Sequence, residues 1–324
     1  MKTVVVTRFG GPEVLEVRDV PIPEPGPGQV RIKVHASGLN YADIMQREGL
    51  YPNGPKPPFG AGFEVAGTID AAGSPDCPWP IGTGVMGFCE NGYSEFAIAP
   101  AARLMPKPEE LDFAQAAAIP CQYLTAYHAL LTLGGLREGQ TVLLQAAAGG
   151  LGVFMVQIAR NLGATIIGTC STDEKCDLIQ SLGCTHPVNY TKRDFAAEVK
   201  QITKGAGCDL VVESVGGNVF DKSLRCLKSR GRLITLGAAS RQPASVSAIQ
   251  LLAANWTVSG FHLSGYANDM EAMGKAIGDL ATWLSSGKLT VLAQHRFALE
   301  QAADAQQFIS DRKSTGKVVL IPGS

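Results

Sequence analysis

The residues best suited to chemistry lie in one run, Thr141-Val-Leu-Leu-Gln-Ala-Ala-Ala-Gly-Gly-Leu-Gly152, leading into Val153-Phe-Met-Val-Gln-Ile-Ala-Arg160. An apolar stretch, a glycine turn and an amphipathic helix, in that order, aim free N–H groups and the positive end of a helix dipole at an anion. The spacing Ala147-x-Gly149-x-x-Gly152 is that of a dinucleotide pyrophosphate cradle with alanine in the first place. Ala148, Gly149, Gly150, Leu151 and Gly152 are therefore the expected phosphate contacts. The next apolar run, Thr165–Cys170, ends without the Asp or Glu that an NAD-type site sets against the ribose 2′-OH about 20 residues past the glycines. Ser171 and Thr172 stand there, with Lys175 one turn later. Hydroxyls and an ammonium accept a 2′-phosphate, so the cofactor expected is NADPH. Asp173 and Glu174 follow closely and argue the other way. In the plainer reading Ser171 or Thr172 only caps the next helix and Lys175 is a solvated lysine.

Tyr41 and Tyr51 are the best polar donors for a substrate pocket, although each also reads as a packed ring with its hydroxyl in solvent. Asn40, set between Leu39 and Tyr41, needs a partner if buried, and otherwise reads as an asparagine in a loop turn. His35, His128, His186 and His295 have no acid or nucleophile at useful spacing, and Glu64 reads as half of a structural ion pair. The cysteines at 77, 89, 121, 170, 176, 184, 208 and 226 show no C-x-x-C spacing. That pattern implies reduced thiols in a cytoplasmic protein rather than a disulfide framework or a structural zinc site.

The elements that must position these residues change character along the chain. Residues 1 to about 120 carry short β runs (Val4–Thr7, Val30–Ala36, Val65–Ala71, Ser94–Ala99) broken by glycine and proline. From about 123, helices at 121–134, 151–162, 173–182, 194–203 and 218–228 alternate with strands at 141–146, 165–170, 187–189, 209–213 and 232–236. This is a βαβ series, hence an α/β chain with a doubly wound parallel sheet. The strand Thr257–Phe261 closes the series, and as an apolar edge strand it implies pairing across a two-fold into a homodimer. The expected domains are 1–122 with 265–324, and 123–264 inserted between them, with a cofactor crevice at their junction.

The 324 residues, 45% of them hydrophobic, suffice for two cores. A net charge of −1 without a basic run gives no footprint for nucleic acid. No apolar stretch reaches the roughly 20 residues of a membrane span, and Met1–Arg8 reads as a strand rather than a signal peptide.

Gly38-Leu-Asn-Tyr-Ala-Asp43, Gly49-Leu-Tyr51, Gly62-Phe-Glu-Val-Ala-Gly67, Leu124-Thr-Ala126, Ala146–Gly152, Asn189-Tyr190 and Thr315-Gly-Lys-Val-Val319 together resemble the zinc-independent quinone oxidoreductases of the medium-chain dehydrogenase/reductase superfamily. Thr185-His-Pro187, Ala253-Ala-Asn255 and Gly260-Phe-His-Leu263 also resemble the VAT-1-like branch of that group. The resemblance implies a Rossmann NADPH-binding domain inserted in a GroES-like, β-rich catalytic domain. It implies that Asn40 lies near the nicotinamide ribose, Thr125 near the nicotinamide, and the backbone from Phe261 to Leu263 against the carboxamide. Ser171, Lys175 and Tyr190 would take the 2′-phosphate, and Lys317 would approach the cofactor from the C-terminal strand. The catalytic-zinc positions of related alcohol dehydrogenases fall on Asn40, Phe63 and Cys121, of which asparagine is a poor ligand and phenylalanine none, so no metal is expected. The chain departs from the family at Gly82-Thr-Gly-Val85, where a Gly-Asp-Arg-Val turn is usual.

Three functions follow. The first is an NADPH-dependent, metal-free reductase of quinones. The second is an enone or 2-alkenal reductase, which needs a proton donor such as Tyr41 or Tyr51. The third is a nucleotide-binding, non-enzymatic protein of the VAT-1-like kind.

Overall fold

The computed structural model describes residues 1–323. In chain order the strands are β1 (Lys2–Val6), β2 (Leu15–Asp19), β3 (Gln29–Gly38), β4 (Phe59–Gly60), β5 (Glu64–Ala72), β6 (Gly84–Phe88), β7 (Phe96–Pro100), β8 (Leu104–Pro106), β9 (Thr141–Leu144), β10 (Thr165–Cys170), β11 (His186–Asn189), β12 (Cys208–Glu213), β13 (Leu227–Thr235), β14 (Thr257–Gly260), β15 (His295–Ala298) and β16 (Val318–Ile321). The α-helices are α1 (Tyr41–Glu48), α2 (Phe113–Ala116), α3 (Pro120–Tyr127), α4 (Gly150–Asn161), α5 (Asp173–Ser181), α6 (Phe195–Ile202), α7 (Gly217–Leu224), α8 (Ala248–Ala254), α9 (Met270–Ser285) and α10 (Ala302–Ser310). The chain forms two compact units, one from Met1 to Cys121 together with Val291 onward, the other Gln122–Thr290.

In the first unit a sheet ordered β15-β16-β3-β5-β6-β8, with β7 also on β3, carries the core. Val30, Ile32, Val34 and Ala36 of β3 are buried at every second position, the period that turns alternate side chains to one face. Val30, Ile32 and Val34 pack with Val65, Ile69 and Val85. A smaller sheet, β2-β1-β4, stands beside it. At the unusual turn, Gly82 N–H donates to Ile69 O at 2.8 Å and Thr83 N–H to Pro80 O at 3.1 Å, so the loop closes without a charged pair.

The second unit is built on a parallel sheet ordered β11-β10-β9-β12-β13-β14. Its central strands are apolar on both faces, as helices on both sides require: Val142, Leu143, Leu144, Ile166, Ile167 and Val211 are all at 0% exposure. Helix α4 is buried from Gly152 to Ala159. Strand β14 pairs only with β13 among the described residues and is the edge of the sheet.

The unit boundary differs from the one read in the sequence. Residues 265–290 belong with Gln122–Thr290, not with the first unit. Ala276 and Leu280 of α9 are buried, Tyr123 Oη donates to Ala276 O at 2.8 Å and Tyr127 Oη to Asp279 Oδ2 at 2.5 Å, and Trp283 meets both tyrosine rings. Among the described residues no helix is long and apolar enough to cross a membrane.

Candidate functional site

Strand β9 delivers the chain into a turn in which Ala146 takes the left-handed conformation, φ +54°. Thr169 at the end of β10 holds that turn, its Oγ1 accepting from Ala146 N–H at 3.3 Å and its carbonyl from Ala147 N–H at 3.0 Å. The Thr169 hydroxyl donates to Gln145 Oε1 at 2.6 Å, and Gln145 Nε2 donates to Ser223 Oγ at 2.9 Å. Sequence reading missed this polar layer because its members come from three different elements. Gly149 is the N-cap of α4 and brings no side chain to its first-turn N–H groups, so those donors face outward as an anion site requires. A Cβ on Gly152 would stand 2.4 Å from the Ala147 carbonyl, so glycine lets α4 press against the turn; on Gly149 it would meet only Ala146 O, at 3.5 Å. The turn fits a dinucleotide pyrophosphate.

Strands β10 and β11 run parallel with Cys170 opposite Asn189, which sets Ser171 and Tyr190 side by side just past the strand ends. Tyr190 N–H donates to Cys170 O at 3.0 Å, and its ring is among the exposed large side chains. Thr172 is the N-cap of α5, accepting from Lys175 N–H at 3.3 Å, so the capping reading holds for Thr172. Lys175 lies in the first turn of α5, on the same edge of the sheet as Ser171 and Tyr190.

Thr125 is half-buried on α3, which passes at His128–Leu133 into a π-helical turn. Phe261 leaves the end of β14 with its N–H on Thr235 O at 2.8 Å, and its ring stacks on Tyr266, which stacks in turn on His128. Leu263 follows, half-buried. His128 is fully buried with Nδ1 2.9 Å from Thr132 Oγ1, a core histidine in a stack.

The first unit gathers its polar residues around the end of β3. Asn40 N-caps α1 and forms a capping box with Asp43. Asn40 is 3% exposed and its amide is engaged on both atoms: Nδ2 donates to Glu64 Oε2 at 2.9 Å and Oδ1 accepts from Lys317 Nζ at 2.7 Å. Lys317 also donates to Glu64 Oε2 at 2.7 Å, and Glu64 Oε1 accepts from Cys121 N–H at 2.6 Å. Glu64 thus has the ion pair expected of it. Lys317 is 2% exposed, with its ammonium turned inward onto Asn40 and Glu64. A Cβ on Gly38 would collide with Ala117 O, Glu64 Oε2 and Lys317 Cε, so glycine is what admits the pair.

Beneath Asn40 lies a group that sequence reading passed over as site chemistry. Asp43 is 3% exposed, and its Oδ2 accepts from Asn40 N–H and Tyr93 Oη, both at 2.8 Å, while its Oδ1 is buried without a hydrogen-bond partner. Burial pushes its carboxyl up to about 7, against the pull of the Asn40 N–H, the Tyr93 hydroxyl and Lys317. The Asn-x-x-Asp spacing is a legible capping signal, but Tyr93, 50 positions away, is not. Tyr41 opens α1 and is half-buried. Tyr51 is half-buried as well, and burial first, then Cys121 and Asp43, raise its phenol above the ordinary range, keeping it a neutral donor.

Of the expected residues, the first unit therefore holds Asn40, Tyr41, Tyr51 and Lys317, and the second holds Thr125, Ala148–Gly152, Ser171, Lys175, Tyr190, Phe261 and Leu263. At the zinc-ligand positions the Asn40 amide is already engaged and Phe63 offers no donor. Among the described residues no group of three His, Cys, Asp or Glu side chains is arranged to hold a metal, and all eight cysteines are free thiols.

Two family models match, the alcohol dehydrogenase GroES-like domain over residues 26–109 and the zinc-binding dehydrogenase over residues 150–279. The chain is 36% identical over 328 residues to the quinone oxidoreductase of Pseudomonas aeruginosa, spanning 99% of each protein. It is 34% identical over 343 residues to the synaptic vesicle membrane protein VAT-1 homolog of Rattus norvegicus, spanning 100% of this chain and 84% of that one. The crystal structure of Escherichia coli quinone oxidoreductase complexed with NADPH superposes with a TM-score of 0.94 at 30% identity, over 99% of this chain and 100% of that one. With the GroES-like and dehydrogenase regions both matched and the identity running the length of the chain, this protein belongs to the quinone oxidoreductase and VAT-1-like family of the medium-chain dehydrogenase/reductase superfamily.

Proposed function

We propose that this protein is an NADPH-dependent oxidoreductase that reduces quinones or similar conjugated carbonyls without a metal. The observation that carries the reading is the turn at Ala146–Gly152, where a side-chain-free cap leaves the first-turn N–H groups of α4 to an anion. The E. coli relative holds NADPH on the same fold, which supports NADPH as the occupant here. Ala148, Gly149, Gly150, Leu151 and Gly152 would bind the pyrophosphate, Ser171, Lys175 and Tyr190 the 2′-phosphate, and Thr125, Phe261 and Leu263 the nicotinamide. Asn40 would face the nicotinamide ribose as a rigid amide, fixed by Lys317 and Glu64 from behind; Lys317 itself is proposed to act through Asn40.

When bound, NADPH supplies a hydride to an electron-poor acceptor, and such acceptors need little further activation. One matched family model has zinc in its name, but an engaged amide, a phenyl ring and one thiol do not make a zinc site, so no step is routed through a metal. What the chain adds is orientation, exclusion of water and a proton source. Tyr51, held neutral, is the group suited to the last, with Tyr41 at the start of α1 as the other phenol; a phenol donor also favours reduction of a C=C bond as a second reading. The reading includes a cytoplasmic homodimer joined through β14.

The test is oxidation of NADPH by purified protein with 1,4-benzoquinone, 9,10-phenanthrenequinone and but-3-en-2-one. Turnover with either quinone supports the reading. Turnover with the enone alone moves the function to C=C reduction, and NADPH binding without turnover on any of the three leaves a nucleotide-binding protein.

A further inference from the structure

We propose that the turn Asn189–Lys192 sets the cofactor preference of this site by occupying the carboxylate of Asp173, so that a 2′-phosphate is accepted where an acid would otherwise repel it. The inference deepens the NADPH reading above and rests on it.

Asp173 is the first acid after β10, three residues past Cys170 and at the first position of α5. A free carboxylate near this strand end is the feature that bonds a ribose 2′-OH and disfavours a phosphate. Here both oxygens are taken. Oδ1 accepts from Asn189 Nδ2 at 2.7 Å, and Oδ2 is paired with the Lys192 ammonium. Lys192 and Asn189 accordingly hold the Asp173 carboxyl below the usual carboxylate range.

The turn that does this is itself fixed. Asn189 is 3% exposed, and its Oδ1 accepts from Thr191 N–H at 3.1 Å and Thr191 Oγ1 at 2.7 Å. Tyr190 N–H is anchored on Cys170 O. The second acid is engaged as well: Glu174 is held below its ordinary range by its own backbone N–H and then by the Thr172 hydroxyl. The strand end therefore presents Ser171 and Tyr190, with the Asp173 carboxylate held by Asn189 and Lys192.

Lys192 and Asp173 are more than half exposed, and an exposed pair contributes up to about 1 kcal/mol. The expected effect of releasing Asp173 is thus roughly fivefold in affinity for a 2′-phosphorylated ligand. The experiment measures dissociation constants of NADPH, NADH and adenosine 2′,5′-bisphosphate by fluorescence or calorimetry. The proteins are the wild type, Lys192→Met, Asp173→Asn and the double variant.

Lys192→Met should weaken NADPH and the bisphosphate about fivefold and NADH less than twofold, and adding Asp173→Asn should restore wild-type affinity. A loss shared equally by NADPH and NADH overturns the inference. So does a loss that persists in the double variant, which would make Lys192 a direct phosphate ligand. A wild type that prefers NADPH, with all variants unchanged, overturns the role of the turn alone. A wild type that binds NADH as tightly as NADPH overturns the cofactor reading and the inference with it.

Discussion

Asp43 should make the stability of the first unit fall as pH rises through the neutral range. Its carboxyl is buried, with both donors on Oδ2 and Oδ1 left without a hydrogen-bond partner, and it titrates near 7 in the folded chain against an ordinary 3.8. Between those values the folded chain retains a proton that the unfolded chain has released. Stability there falls with pH, by up to about 1.4 kcal/mol per unit, and levels off above about pH 7. From pH 5 to pH 8 the loss from this one group is about 3 kcal/mol. Asp43→Asn keeps an oxygen for Asn40 N–H and Tyr93 Oη but never ionises. Urea unfolding of wild type and variant at pH 5, 6, 7 and 8 separates the two cases, since other titrating groups are common to both. The variant should lack the downward slope and gain on the wild type by about 3 kcal/mol across that interval. Parallel curves would refute the reasoning, because a carboxylate charged throughout has no proton to lose.

Gly152→Ala should lower NADPH affinity about tenfold, near 1.4 kcal/mol, because its Cβ meets the Ala147 backbone at 2.4 Å; Gly149→Ala, with its nearest atom at 3.5 Å, should unfold at the wild-type temperature, and equal melting losses in both would defeat the packing argument. Lys317→Met leaves the Glu64 carboxylate buried without its cation and should cost about 3–5 kcal/mol of stability in urea unfolding; a loss under 1 kcal/mol would show that the pair is not a structural core. Tyr51→Phe should slow reduction of but-3-en-2-one by about a hundredfold while changing quinone turnover little, and equal effects on both acceptors would remove the proton-donor role. Sedimentation at micromolar concentration should give the mass of two chains, since among the described residues β14 pairs only with β13, and Ile249 and Leu252 of the preceding helix are each more than three-quarters exposed; a monomer would exclude pairing there.

What was legible in the sequence is what short-range spacing encodes. The glycine turn, the strands on either side of it and the α/β alternation follow from residues within one βαβ unit, and β9, β10 and α4 lie where the pattern put them. Helix α8 was not legible because it is apolar at all positions but Gln250, so no polar face alternates with an apolar one to mark a helical period. Helix α9 has a clear apolar face, but such a face names no partner. The pattern is the same whichever unit it packs on, and only Tyr123, Tyr127 and Trp283 decide that.

The same limit governs the charges, and it changes what the motifs mean. Lys317 stood out within Thr315-Gly-Lys-Val-Val319, yet its partners Asn40 and Glu64 lie 277 and 253 positions away. The residue was legible and its partners were not: its ammonium is held by Asn40 and Glu64. Asp173 was read as an argument against a 2′-phosphate. Once β10 and β11 lie side by side, Asn189 and Lys192, 16 and 19 positions away, cover it. An acid in a motif counts against an anion only while its carboxylate is free, and sheet neighbours rather than sequence neighbours determine that.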